Sequence, residues 1–330
     1  MENLINLAKS VLSNYNINPD NIKIIQNSGL KTLWKFNCKD KTMCLKRLRH
    51  SKEKALFSVN AQINVYNNGG HVPKVYLNSN NNPITEYNEQ LFVLYEWIDG
   101  RDLYFNNPTD FRLALEGLAK FHIASRGYVP PKGAKISSKL GRWNEQYESM
   151  KKRMLKWKEE AKNNLSNISH KSYYENIDSI INIADMALNG LEKSAYKDLT
   201  NIELSKSTLC HQDFGEGNVI FSGTESYVID LDGATYDLVI RDLRKIIGKR
   251  MQKRGKWQEE IINTILNWYE KNNKLSLEEK EILKIDLLYP HWFFGEVKNL
   301  YKKNKYLSPN KIERIAELEK SKVRILKNLF

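Results

Sequence analysis

Residues 210–233 read CHQDFGEGNVIFSGTESYVIDLDG. One histidine, three aspartates, two glutamates and an asparagine stand there among β-forming residues. Such groups are costly to remove from water unless something pairs with them. Within the segment His211, Asp213 and Asn218 follow the spacing H-x-D-x-x-x-x-N, and Asp230 closes the apolar run YVID. A chain carrying this stretch must therefore present a polar loop between short strands, with a carboxylate at the end of one of them.

The flanking texture narrows the architecture. Before residue 100 lie short β-type runs, IKIIQ (22–26), LWKFNC (33–38), TMCLKRL (42–48), KVYL (74–77) and LFVLYEWI (91–98), separated by the turn signals NSG, KD and SNNNP. This pattern predicts an antiparallel sheet. One helix interrupts it over 51–70, with Leu56, Val59, Ile63 and Tyr66 at helical steps, Ser51 at the start and Gly69-Gly70 at the end. After residue 100 the periodicity is helical. Phe111, Leu115, Leu118 and His122 form one stripe, amphipathic stretches run over 142–163 and 173–195, and helices are predicted at 239–251, 257–271, 276–303 and 309–328. Ser276 to Glu279 reads as a capping box, and Ser308-Pro309 as a cap with a first-turn proline. The expected fold class is α+β, with a small antiparallel-sheet part over 1–98 and a larger, mainly helical part over 99–330.

Phosphoryl transfer needs the group types of the central segment. A carboxylate orients the attacking hydroxyl and takes its proton, and an amide oxygen with a second carboxylate holds the Mg2+ that bridges nucleotide phosphates. Upstream, Lys46 ends a strand and can neutralise phosphate oxygens, and the turn containing Ser28 and Gly29 lets a backbone approach a nucleotide. Taken singly, each residue has a plainer reading. Asp213 fits a loop cap, His211 a backbone-bonding ring that stiffens its loop, Lys46 a solvated side chain, and NSG an ordinary turn. The specific signal is their joint order along the chain.

Composition excludes other classes. The N-terminal MENLINLAKSVLSNYN lacks the basic start and apolar core of a secretory signal, and the apolar run LFVLYEWI is far short of a membrane span. An intracellular protein with no membrane partner is expected. Three cysteines, Cys38, Cys44 and Cys210, are too few for a disulfide scaffold and suit a reducing compartment; a zinc site with His211 lacks any CxxC pair. The net charge of +13 favours anionic partners. Nucleic acid is disfavoured, because neither zinc-finger spacing nor an RNA-recognition signature is present, and solvated basic helix faces account for the charge.

The combination resembles the aminoglycoside phosphotransferase and choline kinase branch of the protein-kinase-like fold, where HxD stands in place of HRD. CHQDFGEGNVIF, VIDLDGATYDLVIRDLRKIIGKRM, SKLGRW (138–143) and LLYPHWFFGEVKNLY (287–301) are similar to the CotS family of spore-coat proteins within that branch, over essentially the whole chain. The resemblance implies a two-lobed kinase-like fold in a protein of the mother-cell cytoplasm and spore coat, with other coat proteins as partners. It implies Asp213 as the catalytic base, Asn218 and Asp230 as metal ligands, and Lys46 as the phosphate-contacting lysine. Glu96, Trp97 and Ile98 would meet the adenine edge, and Asp242 would brace the catalytic loop. Asp232 shares a face with Asp230 and is a candidate for a second metal or for water. Two departures stand out. Glu53, the candidate acidic partner of Lys46, lies in the first turn of its helix, and Gln62 holds a deeper position where glutamate is expected. Two functions follow. One is an ATP- or GTP-dependent, Mg2+-using kinase of a small-molecule hydroxyl, with Arg241, Arg244 and Lys245 either hinting at an anionic acceptor or facing solvent. The other is a non-catalytic coat scaffold that keeps the fold.

Overall fold

Alternation along the first strands decides the packing, because successive side chains of a strand point to opposite faces. The structure, a computed structural model, describes residues 4–28, 31–303 and 305–329. In chain order the elements are α1 (Leu4–Leu12), β1 (Asp20–Ser28), β2 (Lys31–Cys38), β3 (Lys41–Leu48), α2 (Lys52–Asn67), β4 (Val75–Tyr76), β5 (Thr85–Tyr87), β6 (Gln90–Glu96), β7 (Arg101–Asp102), α3 (Pro108–Ala124), α4 (Trp143–Lys162), α5 (Ile168–Lys193) and α6 (Tyr196–Thr200). There follow β8 (Leu209–Cys210), β9 (Val219–Ser222), β10 (Glu225–Val228), β11 (Thr235–Tyr236), α7 (Ile240–Arg254), α8 (Glu259–Glu270), α9 (Leu277–Leu288), α10 (His291–Lys303) and α11 (Pro309–Lys327). The chain divides into two compact units. The first comprises Met1–Ser138, Glu203–Tyr236 and Trp268–Asn273, and the second Lys139–Ile202, Asp237–Asn267 and Lys274–Phe330. The polar island at 207–231 thus folds with the sheet-rich segment.

In the first unit an antiparallel sheet runs β1-β2-β3-β6-β4, with β5 also on β6. On one face Trp34, Phe36, Met43, Leu45, Phe92 and Leu94 pack against Leu7, Ala8, Val11 and Leu12 of α1. That helix was not foreseen from sequence. On the other face Cys44, Leu48, Leu91, Val93 and Tyr95 meet Ala55 and Val59 of α2. The buried residues of α2 are Ala55, Phe57, Ser58, Val59, Ala61, Gln62 and Val65; of the expected stripe Val59 is buried and Ile63 packs partly buried beside it, whereas Leu56 is half-buried and Tyr66 exposed. Small and polar residues let the helix approach the sheet, while Phe57 is buried against the rings of Tyr128 and Tyr236. Gly69, just past the helix, has φ +78, a left-handed conformation that suits glycine at a helix end.

β7, β9 and β10 form a second small sheet, and β8 pairs with β11. Gly100 leads into β7. A Cβ there would lie 2.4 Å from the Phe221 carbonyl oxygen, so only glycine lets the chain leaving β6 lie against β9.

In the second unit the single helix expected over 276–303 is two, α9 and α10, broken at Tyr289-Pro290. Proline has no N–H and drives its predecessor out of the helical region. The capping box of Ser276 and Glu279 forms as read. Pro309 occupies the first turn of α11, while the Ser308 side chain makes no cap bond.

One buried carboxylate ties four helices of this unit together. Asp286 of α9 is fully buried. It accepts from the Tyr147 hydroxyl of α4, from Arg244 Nε of α7 at 3.2 Å and from His291 Nε2 of α10 at 2.6 Å. Arg241 lies 3.6 Å away. Arg241 and Arg244 therefore direct their charge at Asp286, and neither is the free basic surface that an anionic acceptor or solvent would require. Burial opposes ionisation of Asp286, but Arg244, Arg241 and His291 hold its carboxyl well below the usual range.

Burial, reinforced by Arg244, pushes His291 down to about 3. The ring is neutral at pH 7 and donates to Asp286. Because the folded value lies below the unfolded one of about 6.5, the unfolded chain takes up a proton first as pH falls, and stability is lost across the window from about 6.5 to about 3. Burial pushes Asp237 the other way, to about 7, so total stability mixes opposite slopes; a comparison with His291→Gln separates them. Between pH 7 and 5 the unfolding free energy of the native chain is expected to fall relative to the variant by about 1 kcal/mol per pH unit. Parallel urea-midpoint curves would contradict this.

Candidate functional site

The site is built by the register of three strands and one polar loop, all in the first unit. In the ladders Leu33 pairs with Lys46, and Lys46 with Val93. Lys46 therefore shares a face with Lys31 and Leu33 of β2, Cys44 of β3, and Val93 and Tyr95 of β6. This face walls a cavity of about 380 Å3, lined also by Gln62, Glu96, Trp97, Ile98, Asn218, Ile220, Ile229 and Asp230.

The polar loop is held by its own histidine. His211 is completely buried, beside the rings of Phe121 and Phe214. Its Nε2 lies 2.9 Å from the Ile229 carbonyl oxygen, and its Nδ1 accepts the Asp213 amide at 3.3 Å. The neutral tautomer with the proton on Nε2 satisfies both bonds. His211 thus locks the start of the loop to the residue preceding Asp230. Asn218 Nδ2 donates to the Asp213 carbonyl at 2.8 Å, and the Ile229 amide donates to the Asn218 carbonyl at 3.1 Å. Asp213 is therefore hydrogen-bonded to Asn218, and Asn218 to Ile229, the residue before Asp230. The Asp213 side chain is exposed and lies outside the cavity wall.

Asp230 adopts φ 62, ψ 61. A left-handed non-glycine residue stores backbone strain, on the order of 1 kcal/mol or more, and here it turns the carboxylate toward two lysines. Lys46 Nζ lies 2.7 Å from Asp230 Oδ1, and Lys31 Nζ 2.9 Å from Oδ2. A further bond of 2.7 Å joins Lys46 to Asp232. Burial disfavours charge on Asp230, yet Lys46 and then Lys31 hold its carboxyl far below the ordinary range. Burial likewise opposes the Lys46 charge, and Asp232 and Asp230 outweigh it, so the ammonium persists with its pKa raised.

The sequence candidates distribute as follows. Lys46, Asn218, Asp230, Glu96, Trp97 and Ile98 border one cavity, and His211 and Asp213 belong to the loop beside it. Asp232 pairs with Lys46. Glu53 does not: it is exposed and interacts with Ser51, at its own helix start. The pairing of Glu53 with Lys46 is corrected accordingly, because a first-turn side chain lies far from the inward face that carries Gln62. Gln62 is buried, donates to the Pro73 carbonyl at 2.6 Å and reaches the cavity. Ser28 is exposed at the end of β1 and is absent from the cavity lining, whereas Gly29 lies outside the described residues. Asp242 is buried in the first turn of α7, in the second unit. Lys31 was missed from sequence. Its signal, two residues before Leu33 on the face of Lys46, becomes readable only once the β2–β3 register is known.

The donor set suits a hard cation, which takes oxygen ligands. Asp230 is ionised, and the Asn218 amide nitrogen is occupied by a backbone carbonyl, so Oδ1 is its remaining end. At the other end of the cavity the Trp97 amide donates to the Thr42 carbonyl. The backbone N–H and C=O of Ile98 have no backbone partner among the described residues. A donor and an acceptor on one residue, beside apolar Leu33, Ile220 and Ile229, fit the edge and faces of a purine.

Comparison with known proteins places this geometry. A crystal structure of an aminoglycoside phosphotransferase from Alicyclobacillus acidocaldarius is 15% identical, with a TM-score of 0.78 over 97% of this chain and 95% of that one. A spectinomycin phosphotransferase crystallised with ADP and spectinomycin is 16% identical, with a TM-score of 0.56 over 96% and 98%. The fold is therefore the α+β, protein-kinase-like fold expected from sequence. Spore coat protein S of Bacillus subtilis (strain 168) is 24% identical over 307 residues, which are 91% of this chain and 85% of that protein. A family model described as "Spore coat putative kinase YutH" matches residues 8–329, and the chain belongs to that family.

Proposed function

We propose that this chain is a Mg2+-dependent phosphotransferase that moves the terminal phosphate of ATP or GTP to a hydroxyl of a small molecule, and that it acts in the mother-cell cytoplasm and the spore coat beside other coat proteins. The observation that carries the reading is the convergence on one cavity of Lys46, Asn218, Asp230 and Ile98, whose backbone has no backbone partner among the described residues, with the loop of Asp213 bonded to Asn218. That a protein of the same fold was crystallised with ADP supports a nucleotide in this cavity.

In this reading residues 1–98 hold the nucleotide, while residues 99–330 carry the catalytic loop and the helices that bind the acceptor. Ile98 and the carbonyl of Glu96 meet the base edge, with Trp97 completing the hinge. Lys46 neutralises phosphate oxygens, and Asn218 and Asp230 hold the metal, with Asp232 keeping Lys46 in place. When bound, the divalent ion supplies positive charge that offsets the charge of the phosphates during transfer. Asp213 orients the acceptor hydroxyl and accepts its proton, a role open to it because its carboxylate has no hydrogen-bond partner among the described residues. His211 positions that loop through the Ile229 carbonyl. Asp242 is assigned as a brace of the same loop on the family resemblance.

Thermal melting tests the binding half of this reading. Nucleotide with Mg2+ at a hundredfold excess over its dissociation constant should add about 2.7 kcal/mol to stability. A clear rise in melting temperature is expected for the native protein with ATP or GTP, and a much smaller one for Asp230→Ala. Equal rises would remove Asp230 from the metal site, and no rise with either nucleotide would overturn the reading. A labelled-phosphate screen over sugars, amino alcohols and coat extracts identifies the acceptor. Nucleotide binding without any acceptor turning over would favour a coat scaffold that has kept the fold.

A further inference from the structure

Both oxygens of Asp230 are occupied by ammonium groups, Oδ1 by Lys46 at 2.7 Å and Oδ2 by Lys31 at 2.9 Å. Each oxygen keeps a second lone pair, but a dication brought to this carboxylate meets the repulsion of two ammonium groups already bonded to it, so metal binding there is disfavoured until at least one ammonium leaves. The two lysines are not equivalent. Lys46 is buried and has a second carboxylate, Asp232, at 2.7 Å, so it stays anchored whatever happens at Asp230. Lys31 has no other ion pair or hydrogen bond from its side chain among the described residues. It is partly exposed, at 23%, and its flexible stem lines the cavity.

We propose that Lys31 is an exchange residue, the counter-ion of Asp230 in the free protein and a ligand of the nucleotide's terminal phosphates in the complex. The inference rests on the function proposed above and adds to it a residue and an order of binding. Alone, a metal ion must displace Lys31 from its only carboxylate among the described residues and leave the ammonium to water. Arriving with a nucleotide, the ion takes Asp230 while the phosphates take Lys31. Metal and nucleotide then bind as a coupled pair, each raising the affinity for the other by the same factor. Lys31 thus guards the metal site against a free divalent ion and senses the phosphate charge that should accompany it.

The test measures two affinities that move in opposite directions. Mn2+ serves as the probe, its binding to the nucleotide-free protein followed by electron paramagnetic resonance. Calorimetry follows a non-hydrolysable ATP analogue with Mg2+. Relative to the native chain, Lys31→Ala should bind Mn2+ about tenfold more tightly and the metal–nucleotide pair about tenfold more weakly, the scale of one charged hydrogen bond. Lys31→Arg, which keeps the charge, should behave as the native chain on both counts. Lys31→Met, which keeps the stem, should follow Lys31→Ala, so that lost packing is excluded as the cause. Unchanged or weaker Mn2+ binding by Lys31→Ala overturns the exchange. If Lys31→Ala overturns the exchange while the native chain still binds the metal–nucleotide pair and Asp230→Ala does not, the proposed function stands; if the native chain binds no nucleotide, both fall.

Discussion

Asp213→Asn is expected to lower turnover by at least about a hundredfold, the lower bound for loss of a positioned general base, while leaving the nucleotide-dependent rise in melting temperature at the native value. The separation follows from geometry. Asp213 contributes its backbone to the loop, donating to His211 and accepting from Asn218, and asparagine preserves both bonds. The exposed carboxylate bears no bond among the described residues, so its replacement removes the proton acceptor and little else. The informative measurement is a single-turnover rate with the acceptor found in the screen, paired with a melting curve. A variant that turns over normally would show that the base lies elsewhere, and one that loses nucleotide binding would show that Asp213 contributes to the cavity.

Asp286→Ala is expected to destabilise the protein by about 3–5 kcal/mol, the range for breaking a buried ion pair from one side. The loss would strand Arg241 and Arg244, whose side chains are only 12% and 15% exposed, along with the Tyr147 hydroxyl and the His291 Nε2–H. Arg244, the Tyr147 hydroxyl and the His291 Nε2–H would lose the acceptor they share, while Arg241 would lose a nearby countercharge and keep its bond to Gln146. The comparison is Lys284→Ala on the same helix, which breaks a pair with Glu281 across one helical turn at the surface and should change stability by no more than about 1 kcal/mol. Chemical denaturation midpoints for the two variants decide the matter. Similar small losses in both would mean that the tie between α4, α7, α9 and α10 contributes little, with apolar packing alone holding those helices.

Much of the site was legible in the sequence because phosphoryl transfer demands residue types at spacings that a loop between strands imposes. His211, Asp213, Asn218 and Asp230 lie within one short segment, so local chain geometry already restricts how far apart they can be. Lys46 was legible as a strand residue, and its partner was not. The helix signals at Ser51 and Glu53 describe the helix start, where Glu53 stays, whereas the ion pairs of Lys46 come from residues remote in sequence. The break at Pro290 was readable and was overlooked, since the apolar periodicity of α9 and α10 continues across it. α1 escaped because its apolar run is short and no glycine follows it.

The sequence by itself determined the strand-forming runs of the first hundred residues, the order of sheet and helices, and the polar loop with its terminal carboxylate, all of them consequences of local composition, periodicity and spacing. Only the tertiary structure decided that Lys31 and Lys46 share Asp230, that Arg241 and Arg244 serve Asp286, and that Gln62 rather than Glu53 faces the cavity. Strand register and helix rotation settle those pairings, and both depend on how distant apolar side chains pack together, which no short window of residues contains.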